Sequence, residues 1–505
     1  MHNSALFLDR DGTLIEDVGY LSNVDDIHLI PGVCKALGVL QERFSLFVVS
    51  NQSGIAKGLL TREQVEAVNR HLDSLLRKEG ITIQEWFVCP HDRGDTCGCM
   101  KPAPGFLLQA AEKYTIDLAS SYVIGDHPHD PATAEAVGAL GLYVLTGHGM
   151  KHMEELPNDY PVFHNLPMAG EWILRHPRGR QSLEADVQRG AAALQRGKLT
   201  VFPTETVYGL GANALNPDAV AMIFEAKQRP LHDPLIVHVA DTQQVESLVD
   251  YIPEKALLLM DEFWPGPLTL VMNKSTRVPD IVTAGNRTVA VRMPAHPLAL
   301  QLIRRAGVPV AAPSANLFGR TSPTSAQHVE NQLAGSYEAL IDGGICRVGV
   351  ESTVLSLTGP TPVILRAGGL AQEDIEKLIG SVLSRAEVAG EDNEENEDNE
   401  GPGMLPDHYA PVTPLSLVDD IEKYPGSPKT GKLCFQRCPG GDEKDQEGPV
   451  RVLSTRGDLR EAAIHLYHAM QELDAMGLEL IVAERAPEHG LGRAINDRLE
   501  RASQK

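Results

Sequence analysis

LTVFPTETVYGLGANA, residues 199–214, decides the fold of the larger part of this chain. Leu199-Thr200-Val201-Phe202 is an apolar, β-prone run ending at Pro203, which predicts a buried strand opening into a polar turn. Past the strand end stand two hydroxyls (Thr204, Thr206), a carboxylate (Glu205), a phenol (Tyr208) and two glycines (Gly209, Gly211). A core strand needs no such set of polar groups at its mouth; a ligand site does. Three later clusters pair with this one: AKQRPLHDPLIVHV, TVAVRMP and APSANLFGRTSPT. In the first, Lys227 and Arg229 lie two apart ahead of Pro230, where a turn can aim both at one oligophosphate. The chain has no G-x-x-x-x-G-K-[ST] loop, so a nucleotide would be gripped by side chains.

At 505 residues the length prior gives about three domains. Apolar residues make up 42% and charged ones 22%, ordinary for a globular chain. No apolar run approaches the ~20 residues a membrane span needs. The start, MHNSALFLDRDGT, lacks a basic n-region and a signal-type apolar segment, so a cytoplasmic protein is expected. Seven cysteines, an odd and clustered set, fit a reducing compartment better than a disulfide framework. A net charge of −23 argues against a broad basic face for nucleic acid, while leaving room for a local cationic pocket.

Residues 1 to about 148 alternate strand-like runs (ALFLD, FSLFVVS, EWFVC, SYVIGD, LGLYVL) with helical ones (GVCKALGVLQER, TREQVEAVNRHLDSLLRKEG, GFLLQAAEKY). This alternation predicts a parallel sheet with helices on both faces, and working groups past the carboxyl ends of its strands. Three polar sets fall there: Asp9 to Thr13, Ser50 to Gly54, and Gly125-Asp126 with Asp130. Two carboxylates two residues apart suit metal-dependent phosphoryl transfer. Asp9 can attack phosphorus, and Asp11 can protonate the leaving oxygen and later activate water. Mg²⁺ held by Asp9, Asp126 and the Asp11 carbonyl would offset repulsion from the phosphate. Lys101 and Ser50 would hold the phosphoryl oxygens.

This pattern resembles the haloacid-dehalogenase-like phosphatases. FLDRDGTL, SNQSGIAKG and CPH…CGCMKP are similar to the branch holding D,D-heptose 1,7-bisphosphate and histidinol-phosphate phosphatases. Cys89, His91, Cys97 and Cys99 suit a closed tetrahedral zinc site that holds the loop without doing chemistry. Gly19, Tyr20, Asn51, Gln52, Ser53, Met100 and His127 are expected to face the substrate. Met100 stands where these enzymes usually carry Arg, and His127 where Lys is common, so the heptose assignment loses weight against histidinol phosphate or another small phosphomonoester. His148, His152, His164 and His176 lack ligand spacing and are expected to be surface or satisfied histidines.

Residues from about 182 to 505 resemble the threonylcarbamoyl-AMP synthase family, whose catalytic part is the YrdC-like domain. PTETVYGLG carries the likeness, with Lys227-x-Arg229, Arg292-x-Pro294, Ser314-x-Asn316, EST at 351–353, LRAG at 365–368 and PGMLPDHYAP. The resemblance assigns Thr206, His238, Arg292 and Ser352 to L-threonine. It assigns Lys227, Arg229, Thr288, Ser314, Asn316, Ser322, Arg366, His408 and Tyr409 to ATP. The implied reaction joins L-threonine, bicarbonate or CO₂, and ATP into threonylcarbamoyl-AMP and pyrophosphate with help from Mg²⁺. A tRNA threonylcarbamoyl transferase would take the product, so direct tRNA contact is not required. Asp233 stands where an amide or Lys is usual, and is expected to turn outward or help hold Mg²⁺. Phe318 replaces a small polar residue and is expected to narrow the pocket.

AGEDNEENEDNEG, 389–401, is acidic low-complexity sequence, expected to be a disordered spacer. The PGMLPDHYAP segment after it, rich in Pro and Gly, suits a lid. From about 413 an α/β pattern resumes, with GDLREAAIHLYHAMQELDAMG as an amphipathic helix, LELIVAER as a buried strand, and Cys434 and Cys438 as structural residues. The expected architecture is α/β throughout: a capless phosphatase domain (1–165), a connection (166–181), a YrdC-like twisted-sheet domain (182–385), an acidic segment with linker (386–412), and a small Rossmann-like domain (413–505). From a different class, the YrdC-like part could act as a regulatory nucleotide- or RNA-binding module that makes no adenylate.

Overall fold

The computed structural model describes residues 3–385, 387, 409–424, 426–437 and 448–504. It divides into two compact units, residues 1–185 and 186–505. The acidic segment 389–401, His408 and Cys438 lie outside the described residues.

In the first unit the sheet is β1 (Ala5–Leu8), β2 (Ser45–Asn51), β3 (Ile83–Cys89), β4 (Tyr122–Gly125), β5 (Leu140–Val144) and β6 (Val162–Phe163). Its order is β3-β2-β1-β4-β5-β6 and every pairing is parallel. β1, β4 and β5 are buried throughout, the mark of strands covered on both faces. The order reverses beside β1, where an open parallel sheet forms its ligand crevice. Residues 166–175, expected in the connection, instead form a helix, Leu166–Arg175, whose buried Trp172 and Ile173 supply an apolar face. Gly170 lets this helix close on Val33–Leu40, since a Cβ there would meet Leu40 Cδ1 at 3.0 Å. Ten residues carry too few turns for periodicity to separate a helix from an apolar, Pro-containing connection.

The second unit carries a mixed ten-stranded sheet: β7 (Thr200–Phe202), β8 (Gly209–Asn213), β9 (Ile236–His238), β10 (Leu268–Asn273), β11 (Thr288–Arg292), β12 (Val310–Ala311), β13 (Ala339–Leu340), β14 (Thr353–Ser356), β15 (Val363–Arg366) and β16 (Leu383–Ser384). Their order is β13-β7-β8-β12-β9-β11-β10-β14-β15-β16. A parallel sheet follows, β17 (Leu415–Val418), β18 (Thr430–Cys434), β19 (Val450–Val452) and β20 (Leu480–Glu484), in the order β17-β20-β18-β19. The helices Leu459–Asp474 and Leu491–Ala502 cover it and bury Leu466, Tyr467, Met470, Ile495 and Leu499. That apolar cluster also takes in Val207, Val350 and Tyr409, so the accessory sheet and the catalytic sheet share a core. Among the described residues no helix is long and apolar enough to cross a membrane.

β7 and β8 pair antiparallel, Thr200 with Gly211 and Phe202 with Gly209, so PTETVY is the turn between them. A Cβ at Gly211 would lie 2.7 Å from Val310 Cγ1 and 2.8 Å from Phe202 Cε1. Close packing at the sheet therefore requires this glycine.

Candidate functional sites

The first site lies at the carboxyl end of the six-stranded sheet. Asp9 leaves β1 with its amide on the Ile124 carbonyl at 2.9 Å. Lys101 Nζ lies 2.5 Å from Asp9 Oδ1 and 2.5 Å from Asp130 Oδ1. Asn51 fixes the lysine's backbone, donating to the Lys101 carbonyl (3.2 Å) and accepting from its amide (3.1 Å). Buried Arg10 donates to Asp11 Oδ2 at 2.8 Å, and Gln52 Nε2 reaches both Asp11 Oδ2 (2.8 Å) and Ser50 Oγ (2.7 Å). Asn51 and Gln52 thus fix Lys101, Asp11 and Ser50 in place while also lining the cleft.

Asp126 is buried, and the His148 amide donates to its Oδ2 at 2.7 Å. Gly12 and Gly147, both at positive φ, leave the room it occupies: a Cβ on either would fall 2.0 or 2.3 Å from Asp126 Oδ2. Oxygens of Asp9, Asp126 and Asp130 lie within 4.8 Å of one another. Burial raises the Asp9 carboxyl to about 7, with Asp130 and Asp11 adding to it and Lys101 opposing. Burial, then the charges of Asp9 and Asp130, raise Asp126 to about 9. A crowded all-oxygen set of this kind fits a hard divalent cation such as Mg²⁺.

The cleft above these groups has a volume of about 570 Å³ and is lined also by Gly19, Tyr20, Ser53, Met100, His127 and His129. His148 is an exposed histidine, as expected, satisfied by Asp17 at 2.9 Å, and it also lines this cleft. The His152 ring stands 4.7 Å from that of His127. His176 is buried against Trp172, ring centres 4.1 Å apart.

Cys89, His91, Cys97 and Cys99 converge at the end of β3. The Cys89 sulfur lies 3.3 Å from Cys99 Sγ, 3.9 Å from Cys97 Sγ and 3.5 Å from His91 Nδ1. Arms of ~2.3 Å to sulfur give tetrahedral edges of roughly 3.7 Å, so the donors fit Zn²⁺.

The second site gathers strand ends of the ten-stranded sheet. Parallel pairing of β9 with β11 sets Arg292 beside His238. Arg292 donates to Thr206 Oγ1 at 2.9 Å and to the Gly266 carbonyl at 3.1 Å, and pairs with Glu205 at 2.7 Å. Burial, then Arg292, lower the His238 imidazole to about 3, so it is neutral. The segment after β12 is tied to β8 through the Leu210 amide on the Pro313 carbonyl and the Ala315 amide on the Tyr208 carbonyl. That brings Ser314 over the PTETVY turn. Arg366, at the end of β15, donates to the Ser352 carbonyl at 2.9 Å and to Ser352 Oγ at 3.2 Å.

Thr206, Arg229, His238, Arg292, Ser314, Ser352, Arg366 and Tyr409 line one cavity of about 50 Å³. Lys227 lies behind its wall, with Nζ 2.7 Å from the Ser314 carbonyl and also bonded to that of Asn316. Burial, then the Arg229 charge, push its pKa well below the usual lysine value. Thr288, Asn316 and Ser322 are not on the cavity wall, and neither is Phe318. Asp233 does not turn outward. It is fully buried and pairs with Arg229 NH2 at 2.8 Å.

Sequence reasoning gave no role to several participants. Asp130 and Arg10 stand in the polar sets named from the sequence, but only the structure shows Asp130 as the second carboxylate on Lys101 and Arg10 as the donor to Asp11. Glu351 lines the second cavity and accepts from Ser322 Oγ. Its other partners, Tyr467 (3.1 Å to each oxygen) and Arg498 (2.7 Å), come from the far C-terminal helices, with no spacing signal to reveal them.

The family described as "Telomere recombination" matches residues 192–368, "Threonylcarbamoyl-AMP synthase, C-terminal domain" matches 370–504, and "HAD-hyrolase-like" matches 98–169. Threonylcarbamoyl-AMP synthase of Bacillus subtilis (strain 168) is 44% identical over 330 residues, covering 63% of this chain and 93% of that protein. The crystal structure of P. abyssi Sua5 complexed with L-threonine is 43% identical with a TM-score of 0.56, over 63% of this chain and 94% of that one. D-glycero-beta-D-manno-heptose-1,7-bisphosphate 7-phosphatase of Yersinia pestis is 38% identical over 178 residues, 34% of this chain and 89% of that protein. The chain belongs to the threonylcarbamoyl-AMP synthase family, with a haloacid-dehalogenase-like phosphatase domain fused ahead of the synthase.

Proposed function

We propose that the second unit makes threonylcarbamoyl-AMP from L-threonine, bicarbonate or CO₂, and ATP, releasing pyrophosphate, for tRNA threonylcarbamoyladenosine formation. The observation that carries this reading is the single cavity walled by Arg292, Arg229 and Arg366 together with Thr206, Ser352 and Ser314. Arg292 offers a guanidinium for the threonine carboxylate, with Thr206 and neutral His238 beside it. Arg229 and Arg366, backed by Lys227, face where the triphosphate would lie. Each is desolvated or bound to carbonyls, so an arriving polyanion is favoured. N-carboxylated threonine attacks the α-phosphate and pyrophosphate leaves. Few protons move, and catalysis comes from holding three partners in line and neutralising charge. A nucleotide needs several hundred Å³, so the cavity must widen to admit one. The adenylate then passes to a tRNA threonylcarbamoyl transferase. The test is pyrophosphate release by the full chain. It should need L-threonine and bicarbonate together, and release that ignores either one would return the reading to a nucleotide- or RNA-binding module.

The first unit is read as a phosphatase working through an aspartyl-phosphate. Asp9 attacks phosphorus, Asp11, held by Arg10 and Gln52, donates to the leaving oxygen, and Lys101 with Ser50 binds the phosphoryl oxygens. Asp9, Asp126 and the Asp11 carbonyl, with Asp130 adjoining, would hold Mg²⁺, which when bound offsets the charge of carboxylates and phosphate. Cys89, His91, Cys97 and Cys99 would hold a structural Zn²⁺. A sugar (heptose) bisphosphate is the first substrate to try, on the strength of the Yersinia pestis relative. Histidinol phosphate or another small phosphomonoester is the second, because Met100 and His127 line the cleft in place of fixed cations.

A further inference from the structure

The helix Arg62–Lys78 buries Val65, Val68, Leu72 and Leu76 along one stripe, and a polar residue, Asn69, is buried with them. An amide in an apolar stripe costs stability unless it is bonded. Its partner is Arg10, whose NH1 donates to Asn69 Oδ1 at 2.9 Å. Arg10 stands between Asp9 and Asp11, which both line the phosphatase cleft, but is itself fully buried and off the cleft wall. The rest of its guanidinium faces Asp11. NH2 donates to Oδ2 at 2.8 Å, and Nε is shared between Oδ1 and Oδ2 at 3.1 Å each. Gln52 Nε2 donates to the same Oδ2 at 2.8 Å and to Ser50 Oγ at 2.7 Å.

We propose that Asn69 and Arg10 are positioning residues of the phosphatase, a buried clamp that fixes which oxygen of Asp11 carries the proton to the leaving group. This deepens, and rests on, the reading of Asp11 as the acid and then the base of that reaction. A carboxylate oxygen offers two lone pairs. On Oδ2 both are taken, by Arg10 NH2 and by Gln52, so a proton there would meet two donors. Oδ1 has only its part of the divided Nε contact, and it is the oxygen with room for a proton. As Asp9 bonds to phosphorus and the ester P–O bond breaks, the proton on Oδ1 passes to the departing oxygen. In the second step the Asp11 carboxylate takes a proton from the attacking water at the same oxygen, and Asp9 and phosphate part. Gln52 adds a further constraint. Its amide nitrogen has two protons, one for Asp11 and one for Ser50, so Ser50 accepts there and its hydroxyl proton is left for a phosphoryl oxygen. One amide thus spaces the acid from the phosphoryl-binding hydroxyl, and the guanidinium that Asn69 anchors sets the acid's rotation. A carboxyl free to turn would lose that aim, and an error of about 1 Å in placing a catalytic group costs on the order of 10²-fold.

The experiment is hydrolysis of a series of aryl phosphates by the full chain with Mg²⁺, from dinitrophenyl phosphate, whose phenol leaves without help, to phenyl phosphate, whose phenol needs a proton. It is read as kcat/KM, which covers the steps up to departure of the leaving group. Circular dichroism and thermal unfolding establish that each variant is folded. Arg10→Met should lose roughly 10²-fold on phenyl phosphate and less than about fivefold on dinitrophenyl phosphate, steepening the dependence on the leaving group as Asp11→Asn does. Arg10→Lys should fall between, since an ammonium keeps the charge but not the fork. In the Asp11→Asn background, Arg10→Met should cost nothing further on phenyl phosphate. Equal losses across the series in folded Arg10→Met, or none, overturn the proposal, because damage to packing has no reason to follow the acidity of the phenol. Should Arg10→Met fail to fold, Asn69→Leu reads the same quantity, since it frees the outer end of the guanidinium and leaves Asp11 its partner. A loss of a few-fold confined to phenyl phosphate supports the clamp, and wild-type leaving-group dependence overturns it. An Asp11→Asn chain that keeps the wild-type dependence overturns the reading of Asp11 itself, and this inference with it.

Discussion

The two sites are built from the same kinds of charge arranged in opposite ways. In the phosphatase cleft the carboxylates face one another: Asp9, Asp126 and Asp130 crowd within 4.8 Å, with Lys101 as the cation between Asp9 and Asp130. Around the synthase cavity the carboxylates face guanidiniums: Glu205 meets Arg292 and Asp233 meets Arg229 behind its wall, and Glu351 on the wall meets Arg498. Burial first, and the neighbouring carboxylates after it, raise carboxyl pKa values in the first arrangement, to about 7 at Asp9 and about 9 at Asp126, and an added cation would relieve both. In the second, the charge of Arg498 and then of Arg366 outweighs the cost of burial and holds Glu351 down to about 2. A polyanionic substrate is what remains to be accommodated there. Like charges brought together mark a site that awaits metal, and cations buried beside their counterions mark one that awaits phosphate.

The hardest way to break this comparison is Asp9→Asn. If Asp9 is the attacking group, its amide leaves the cleft's shape and removes the nucleophile. Hydrolysis across a panel of phosphomonoesters that includes a heptose bisphosphate and histidinol phosphate should then fall on the order of 10³-fold or more. The same preparation should release pyrophosphate at the wild-type rate. Comparable hydrolysis by both proteins would remove Asp9 from its role and leave the carboxylate cluster as a metal site alone.

Much of this contrast was legible in the sequence. The Asp9–Asp11 pair, the Cys/His loop and the PTETVYGLG stretch are local in the chain, and strand periodicity places them at sheet ends. What the sequence withheld is long-range. Arg498 lies 147 positions from Glu351, and it reaches the cavity only because the C-terminal helix shares a core with Val350 and Tyr409. The short helix Leu166–Arg175 was hidden for another reason. Its pattern is apolar enough to be a connection, and only its seat against Val33–Leu40 gives it a buried face.

A milder test uses acid. The Glu351 carboxyl is depressed from an ordinary 4.5 to about 2 in the folded chain. A depressed carboxyl contributes stability above its unfolded pKa, and that contribution fades as pH falls from about 4.5 through about 2. At neutral pH it amounts to roughly 3 kcal/mol. The difference in unfolding free energy between wild type and Glu351→Gln, measured by denaturant titration, should therefore be largest at pH 6–7 and shrink steadily between pH 4.5 and 3. A difference that stays constant across that interval would mean that the Arg498 pair does not set the charge of Glu351.

The smallest effect is expected at Asp233, and it bears on the comparison most finely. If the synthase cavity awaited a metal as the phosphatase cleft does, Asp233 would be a candidate ligand. Its carboxylate instead lies 2.8 Å from Arg229 NH2, and Arg229 also donates to the Asp233 and Pro234 carbonyls. Asp233→Asn keeps the shape and one acceptor while removing a negative charge beside the Arg229 guanidinium. The magnesium dependence of ATP turnover should stay unchanged, and the KM for ATP should fall by a small factor, about two- to fivefold, as Arg229 gains freedom to meet the triphosphate. A shift of the Mg²⁺ requirement to higher concentration would count the other way. It would make Asp233 a metal ligand and erase the distinction between a cleft of facing carboxylates and a cavity of paired ones.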